Sequence, residues 1–306
     1  MGDFAIDQDV AQSGNFSSSA VSHAGTANRL NEDGFVNRPD LGLWAVADGA
    51  GGHESGEIAS AEVVASLQGI EPGLSAAEML VEVRARLEQT HAGLHEAASQ
   101  RGADVLMATT VVVLLVRDDH FACLWAGDSR AYLLRGHELT RITRDHSLVQ
   151  ALVESGTITE NEAIGHPHAN IITRAVGADS EALELEKRTG PLMAGDRLLL
   201  CTDGLCKTLP DDKLRDLLLA EGHAGAEPLV AAALEARVSD NVTAITIDIG
   251  PAARDAAAGT DGDSDRDTGT DTDTDTDTDT DTVSPHLEER ANAVSSSEDA
   301  APRGSK

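Results

Sequence analysis

Short apolar runs that end in glycine or polar residues recur along most of the chain and predict buried β-strands. These runs lie at 43–47, 110–116, 121–126, 197–201 and 242–249, and a hairpin is predicted over 130–142. Helical spacing of apolar residues predicts long helices over 57–67 and 80–94 and further helices over 147–154, 210–219 and 226–237. Two long helices are adjacent early in the chain and strands dominate on both sides of them. That order favours an antiparallel sandwich with helices packed outside it over a repeated βαβ unit.

Composition narrows the class of protein. Hydrophobic residues make up 41% of the 306-residue chain, enough for a core, but aromatic residues make up only 2%, so that core must be aliphatic. With 53 acidic and 23 basic residues the formal net charge is −30, which disfavours nucleic acid and anionic membranes as partners. The chain has three cysteines and no long apolar stretch near its start. We therefore expect a soluble, cytoplasmic, monomeric protein without a disulfide framework.

Composition changes sharply after Gly250 and indicates where the folded domain ends. Residues 251–306 are acidic, have almost no large aliphatic side chains, and contain a strict Asp-Thr alternation over 271–282. Such a segment cannot bury enough apolar surface to offset its chain entropy, so we predict a disordered tail. The alternative is that this tail acts as an interaction or cation-binding arm. We predict a flexible lead over 1–17 and one domain over 18–250.

Carboxylates stand where several apolar strands stop. The strand ends carry Asp48-Gly49, Gly127-Asp128 and Asp203-Gly204, and Asp240-Asn241 opens the last strand. Each pair alone is most simply a turn. If the four strand ends meet, however, their carboxylates would repel one another and require a cation, and oxygen ligands select Mg²⁺ or Mn²⁺ over Zn²⁺. Periodicity alone does not decide between these two interpretations.

An arginine precedes a second acidic group. Arg29 is followed closely by Glu32 and Asp33. A guanidinium beside a carboxylate cluster could hold a phosphate through two parallel hydrogen bonds. The alternative is an ordinary group of surface charges.

At these residues the sequence resembles the metal-dependent serine/threonine phosphatases of the PP2C (PPM) type, in their bacterial branch. Eight motifs occur in the family's order over roughly residues 18–250. They are Arg29-Leu-Asn-Glu-Asp-Gly-Phe35, Val46-Ala-Asp-Gly-Ala-Gly-Gly-His53 with Gly56-Glu-Ile-Ala-Ser60, Ala108-Thr-Thr110, Ala126-Gly-Asp-Ser-Arg130, Asp145-His-Ser147, Ile172-Thr-Arg-Ala-Val-Gly177, Cys201-Thr-Asp-Gly204 and Ser239-Asp-Asn-Val-Thr243.

The resemblance implies an α+β fold in which an antiparallel β-sandwich is flanked by pairs of α-helices, with two Mn²⁺ or Mg²⁺ ions in a cleft at one edge. It assigns Asp48 to both metals, Asp203 and Asp240 to one, and Glu32 with the Gly49 carbonyl to the other. Asp33 would bind through a metal-bound water, and Arg29 would bind the substrate phosphate. Asp128 with Asp203 matches a third, weaker metal site of bacterial relatives.

The implied activity is hydrolysis of phosphoserine and phosphothreonine in proteins by direct attack of a metal-activated water. The sequence is consistent with a mechanism that forms no phosphocysteine, because Lys207, not arginine, stands six positions after Cys201. Two departures are visible. Ala50 occupies the position of a proposed histidine general acid in some relatives, and Ala108 replaces the usual glycine. His53 is a candidate for the vacant role or, alternatively, a loop-supporting residue.

The implied partner is a phosphorylated protein, and the enzyme would oppose a bacterial Ser/Thr kinase in signalling. The run from Gly52 to Ser60 is similar to phosphatases of type VI secretion loci. The segment 147–170 corresponds to the family's variable flap, which we predict to shape substrate access; the alternative is a fixed structural lobe. A catalytically silent PP2C-like binding module is the alternative function, and its mark would be lost metal ligands.

Overall fold

The computed structural model describes residues 7–27, 30–51, 55–102, 105–178, 182–220 and 225–251. The strands are β1 Asp7–Ser13, β2 Phe16–His23, β3 Asp33–Arg38, β4 Leu43–Ala50, β5 Ala108–Thr109, β6 Val111–Arg117, β7 His120–Ala126, β8 Arg130–Arg135, β9 Glu138–Arg141, β10 Glu186–Pro191, β11 Arg197–Cys201 and β12 Val242–Ile249. The helices are α1 Ser55–Gln68, α2 Ala76–Arg101, α3 Leu148–Glu154, α4 Glu160–Ala163, α5 Asp203–Cys206, α6 Asp211–Leu219 and α7 Glu227–Glu235, and a 3-10 turn spans Pro39–Leu41.

The strands form two antiparallel sheets. The first has the order β1-β2-β12-β11-β8-β9, and the second has the order β10-β7-β6-β4-β3, with β5 paired to the end of β4. The first sheet contains β11 and β12, and the second contains β3, β4 and β7. The strands with carboxylates at or beside their ends therefore come from both sheets.

The core has three apolar layers because each sheet is covered on both faces. Trp44 and Val46 of β4 join Leu198, Leu200 and residues of β12 between the sheets. The alternate β4 residues pack with α1 and α2 on the outer face. Helices α5, α6 and α7 cover the outer face of the first sheet. Burial on both faces explains why these strands are continuous apolar runs rather than alternating ones. The predicted antiparallel sandwich with flanking helices is confirmed.

The N-terminal segment differs from its sequence prediction. The range 1–17 was expected as a flexible lead, whereas β1 begins at Asp7 and pairs with β2 in a hairpin that extends the first sheet. Its side chains gave no apolar signal because β1 is an edge strand, in which Val10 is 67% exposed. Strand pairing through the backbone does not depend on such a signal.

The remaining boundaries concern the flap segment and the tail. The range 147–170 contains the two short helices α3 and α4, whose residues are all at least partly exposed. The predicted disordered tail, 251–306, lies outside the described residues except for Pro251. The chain divides into two units, Met1–Asp261 and Gly262–Lys306, and the second unit is outside the described part. None of the described helices has both the length and the apolar character that crossing a bilayer requires.

Candidate active site

Two of the predicted carboxylates face each other across one strand pair. Asp33 is the first residue of β3, and its register partner in β4 is Asp48. Side chains opposite each other in an antiparallel pair lie roughly 4.5–5.5 Å apart at their Cβ atoms. The register alone therefore places two acidic groups together at the end of the second sheet.

The Asp48 corner is held by the threonine pair of the Ala-Thr-Thr motif. The Asp48 carbonyl accepts from the Thr109 hydroxyl at 2.9 Å and from the Thr110 amide at 2.8 Å, and the Asp48 amide donates to Thr110 Oγ1 at 3.2 Å. Thr110 Oγ1 also lies 2.7 Å from Ser129 Oγ, next to Asp128. This motif therefore fixes the backbone of one predicted metal ligand and touches the neighbour of another.

Asp33 links the two sheets. Its Oδ2 accepts hydrogen bonds from the hydroxyls of Thr202 at 2.8 Å and Thr243 at 2.7 Å, which lie beside β11 and in β12. Thr243 is in turn 2.7 Å from Ser22 Oγ, which accepts from the Asn31 amide group. A chain of short polar side chains thus fixes the rotamer of Asp33 and aims its other oxygen, Oδ1, away from the threonines.

Asn241, in the Ser239–Thr243 motif, positions the loop that carries Glu32. Asn241 Oδ1 accepts from the Glu32 amide at 2.8 Å, while its Nδ2 donates to the carbonyls of Ala24 and Leu30 at 3.2 and 3.1 Å. The Gly49 amide also donates to the Glu32 carbonyl at 3.1 Å. Asp240 is immediately before this clamp, and its Oδ1 accepts from the Asn241 amide. Asn241 therefore brings the segment of Glu32 to the start of β12.

Asp128 and Asp203 share one cation. Lys207 Nζ lies 2.8 Å from Asp128 Oδ2 and 2.8 Å from Asp203 Oδ2. Asp203 starts the short helix α5 directly after β11, so Lys207, four residues later, lies on the same helical side. Asp128 follows β7 and is 2% exposed. Its neighbour Gly127 is fixed by His146: the His146 amide donates to the Gly127 carbonyl at 2.9 Å, and the Gly127 amide donates to His146 Nδ1 at 3.2 Å.

Burial, together with the charges of neighbouring carboxylates, raises the pKa values of Asp33, Asp48 and Asp128. Burial raises the pKa of Asp33 to about 7, and the charges of Asp203 and Asp240 add to the rise against the two threonine hydrogen bonds. Burial, followed by the charges of the other four aspartates, raises the pKa of Asp48 well above its usual range. Burial and Asp203 also raise the pKa of Asp128, although Lys207 opposes them. Five acidic groups from two sheets thus act on one another.

The donor set suits a hard divalent cation. Among the described residues, neither Asp33 Oδ1 nor Asp128 Oδ1 has a hydrogen-bond partner, although both oxygens are buried. A buried carboxylate oxygen without a donor is costly, and a cation with its bound water beside Asp33 Oδ1 would satisfy that oxygen. The described part of the chain nevertheless contains no ready shell of three or more ligating side chains. Asp33 keeps its Oδ1 available beside the two threonine hydrogen bonds to Oδ2, whereas the Oδ2 atoms of Asp128 and Asp203 are taken by Lys207.

The predicted site residues divide into two groups. The described ones lie on the two sheets and the loops just described: Glu32, Asp33, Asp48, Gly49, Asp128, Asp203 and Asp240. Arg29 and His53 lie outside the described residues. Sequence reasoning did not single out Thr202, Thr243, Asn241 and Lys207 for these contacts. The signal available for them was only their position inside the Cys201–Gly204 and Ser239–Thr243 motifs, or one helical turn after Asp203.

A glycine next to Asp203 permits the close approach of α5 to β12. A Cβ on Gly204 would stand 1.9 Å from the Asn241 carbonyl oxygen. We expect Gly204→Ala to lower the free energy of unfolding by about 3 kcal/mol, because backbone must move to relieve the overlap. Chemical denaturation measures this loss. Gly93→Ala is the control: it lies in α2 with open space around it and should stabilise the chain by about 0.5–1 kcal/mol. Equal stability of the two variants would contradict the argument.

Comparison with known proteins matches the chain to one family of phosphatases. The family model described as Protein phosphatase 2C matches residues 22–242. The serine/threonine protein phosphatase PstP of Mycobacterium tuberculosis is 34% identical over 231 residues, a match that covers 75% of this chain and 44% of PstP. The chain thus spans less than half the length of that relative.

Solved structures agree with this match over nearly their whole length. PppA, described as a key regulatory component of T6SS in Pseudomonas aeruginosa, has a TM-score of 0.71 and 39% identity, covering 77% of this chain and 98% of PppA. The catalytic domain of PstP in complex with 2 manganese ions has a TM-score of 0.68 and 33% identity, covering 77% of this chain and 99% of that domain. The family match extends over most of the chain and includes the acidic residues of the candidate site, from Glu32 to Asp240. We conclude that this chain belongs to the protein phosphatase 2C family.

Proposed function

We propose that the chain is a metal-dependent protein phosphatase that hydrolyses phosphoserine and phosphothreonine esters. The observation that carries this proposal is the convergence of Asp33, Asp48, Asp128, Asp203 and Asp240, whose charges act on one another from two different sheets. Five crowded carboxylates with Lys207 paired to two of them are unfavourable for folding, and carboxylates perturbed in this way cluster at functional sites. The family relationship supports phosphatase activity as that function.

The proposed roles follow the arrangement of the donors. Asp48, Asp203, Asp240, Glu32 and the Gly49 carbonyl would hold two Mn²⁺ or Mg²⁺ ions, with Asp33 acting through water. When bound, such ions activate a water and neutralise charge on phosphoryl oxygens. The chain's own contribution is to orient: Thr202 and Thr243 fix Asp33, Thr110 fixes Asp48, and Asn241 fixes the Glu32 loop. Arg29 would bind the substrate phosphate.

The substrate would be a phosphorylated protein that a bacterial Ser/Thr kinase has modified. An open groove of about 480 Å³ beside Ala50 supports a polypeptide substrate. It is lined by Leu106, Ile172, Leu183 and the charged pair Arg174 and Glu184. The likeness to PppA, which is described as a T6SS component, favours a role in controlling type VI secretion.

A catalytically silent binding module is disfavoured. Such a protein is free to lose its acidic ligands, because binding through the fold does not require them. All five aspartates are present here, and threonine and asparagine side chains hydrogen-bond to Asp33, Asp48 and the Glu32 backbone.

The deciding experiment is metal-dependent hydrolysis. We expect the wild-type chain to hydrolyse p-nitrophenyl phosphate and a phosphothreonine peptide with Mn²⁺ and to lose this activity with a chelator. Asp203→Asn should lower kcat by on the order of 10²-fold or more, because one oxygen ligand loses its charge.

Two matched proteins make this result interpretable. Asp212→Asn changes an exposed aspartate of α6 and should leave kcat unchanged. A chain that ends at Gly250 should retain the activity, which separates the enzyme from the alternative in which the acidic tail is the functional part. Turnover by Asp203→Asn at the wild-type rate would remove Asp203 from the site.

A further inference from the structure

Lys207 is a cation of the acidic cluster whose ammonium group is fully hydrogen-bonded. An ammonium group has three N–H donors. Lys207 Nζ has three described acceptors, which are Asp128 Oδ2 at 2.8 Å, Asp203 Oδ2 at 2.8 Å and Asn170 Oδ1 at 3.1 Å. Every donor is therefore used, and each acceptor comes from a different part of the chain: the β7–β8 turn, α5 and the end of the flap segment.

Lys207 lies between the two carboxylates to which a third metal ion would bind. Asp128 and Asp203 are the pair that the family resemblance assigns to a third metal. Here the same two Oδ2 atoms approach a single nitrogen at hydrogen-bond distance. A divalent cation bound by these oxygens would have to lie within a few ångströms of the ammonium, and like charges repel strongly at that distance in a partly buried setting.

Lys207 is also held in this position by its surroundings. Asp128 is 2% exposed and the Lys207 side chain is 32% exposed, so the carboxylate of this ion pair is withdrawn from water while the lysine keeps some contact with it. The Lys207 amide donates to the Asp203 carbonyl at 2.8 Å, which closes the turn of α5 and sets the direction of the side chain. A partly buried pair of this kind is stronger than an exposed one, which contributes little.

We propose that Lys207 takes the place of a third metal ion, so that this chain works with two bound ions and a tethered ammonium between Asp128 and Asp203. The inference rests on the proposed function, since it concerns the same site. Because Asn170 is the third acceptor, Lys207 is a positioning residue that also connects the end of the flap segment to the metal-binding carboxylates.

The experiment measures how many Mn²⁺ ions each variant binds, and it does not depend on catalytic activity. Wild type, Lys207→Ala and Lys207→Arg are titrated with Mn²⁺ in the full-length chain by calorimetry, and Mn²⁺ positions are located in crystals by anomalous scattering. We expect Lys207→Ala to bind one more ion than wild type, with a new anomalous peak between Asp128 and Asp203. Lys207→Arg keeps the charge and should show no such peak.

Controls separate this site from other Mn²⁺ binding. The acidic tail is identical in all variants, so any ions that it binds cancel in the comparison. Lys213→Ala, an exposed lysine of α6, should bind the same number of ions as wild type. The double variant Asp128→Asn/Lys207→Ala should lose the additional ion. If Lys207→Ala does not fold, Lys207→Met keeps the length of the side chain and carries the same expectation.

Two results would overturn the inference: a Mn²⁺ peak between Asp128 and Asp203 in the wild type, or no additional ion in folded Lys207→Ala and Lys207→Met. Failure of the proposed function is a different result, namely a wild-type chain with no Mn²⁺ at Asp48 or Asp240. The Lys207 comparison is read at Asp128 and would still decide the inference in that case.

Discussion

Asp48→Asn should lower kcat for a phosphothreonine peptide by on the order of 10³-fold, more than any other single change in the acidic cluster, because its carboxylate is assigned to both metals. Asp48 is surrounded by the other four aspartates, whose charges all act on it. The amide keeps the shape of the side chain and removes only its charge. Steady-state kinetics over a range of Mn²⁺ concentrations measures the loss, and excess Mn²⁺ should not restore the rate.

A stability measurement distinguishes loss of charge from loss of fold. The pKa of Asp48 lies well above its usual range, so ionised Asp48 opposes folding when no metal is bound. Asp48→Asn should therefore raise the melting temperature of chelator-treated protein by a few degrees while it abolishes activity. A lower melting temperature would mean that the substitution disrupts the fold, and an unchanged kcat would remove Asp48 from the metal site.

The raised pKa values of the buried aspartates also make the stability of the metal-free protein depend on pH. A carboxyl group whose pKa is raised on folding binds its proton more tightly in the native state, so stability falls as pH rises between the unfolded and folded pKa values. For Asp33 that window ends at about 7. Its penalty is complete above this pH and is relieved as the pH falls towards the usual range of aspartate. Bound Mn²⁺ should remove the effect.

The sequence predicted the strands that are buried on both faces of their sheet. Runs such as Leu198–Leu200 are apolar throughout because one face packs against the other sheet and the opposite face packs against helices. Strand β2 gave no such signal, since it consists largely of serines, although Ser18 and Ser22 are buried. Those hydroxyls are satisfied by Asn37 and Thr243, partners that sequence spacing does not reveal. Strand β10 carries charges because it is an edge strand.

The sequence predicted the acidic residues of the candidate site. It did not predict the side chains that hydrogen-bond to them and hold them in position. Asp48, Asp128, Asp203 and Asp240 stand at strand ends, and a motif can show that. The register that brings Cys201 opposite Ala244, and so places Thr202 and Thr243 on the same side of Asp33, is a property of the sheet. Lys207 is ordinary in the sequence, and its role depends on the folded distance between two aspartates that are far apart along the chain.

Asp145→Ala should lower the free energy of unfolding by about 3–5 kcal/mol, because it leaves the partly buried Arg130 guanidinium without its carboxylate. Arg130 Nε and Nη2 donate to both oxygens of Asp145 at 2.7–3.2 Å, and Nη1 donates to the Tyr132 hydroxyl at 3.2 Å. The side chains are 18% and 9% exposed. Because Arg130 begins β8 two residues after Asp128, the loss should also loosen the turn that carries this ligand.

Denaturant unfolding of Asp145→Ala, compared with Asp216→Ala, measures how much the pair of Asp145 with Arg130 stabilises the fold. Asp216 pairs with Arg215 at 2.8 Å, but its side chain is 63% exposed, so its removal should cost less than about 1 kcal/mol. The double variant Arg130→Met/Asp145→Leu should recover most of the stability, since it removes both ions of the buried pair and the other arginine near Asp145, Arg141, is 29% exposed. If Asp145→Ala cost no more than Asp216→Ala, the pair would not hold β8 in place. The position of Asp128 would then depend on Lys207, His146 and the Thr110–Ser129 contact alone.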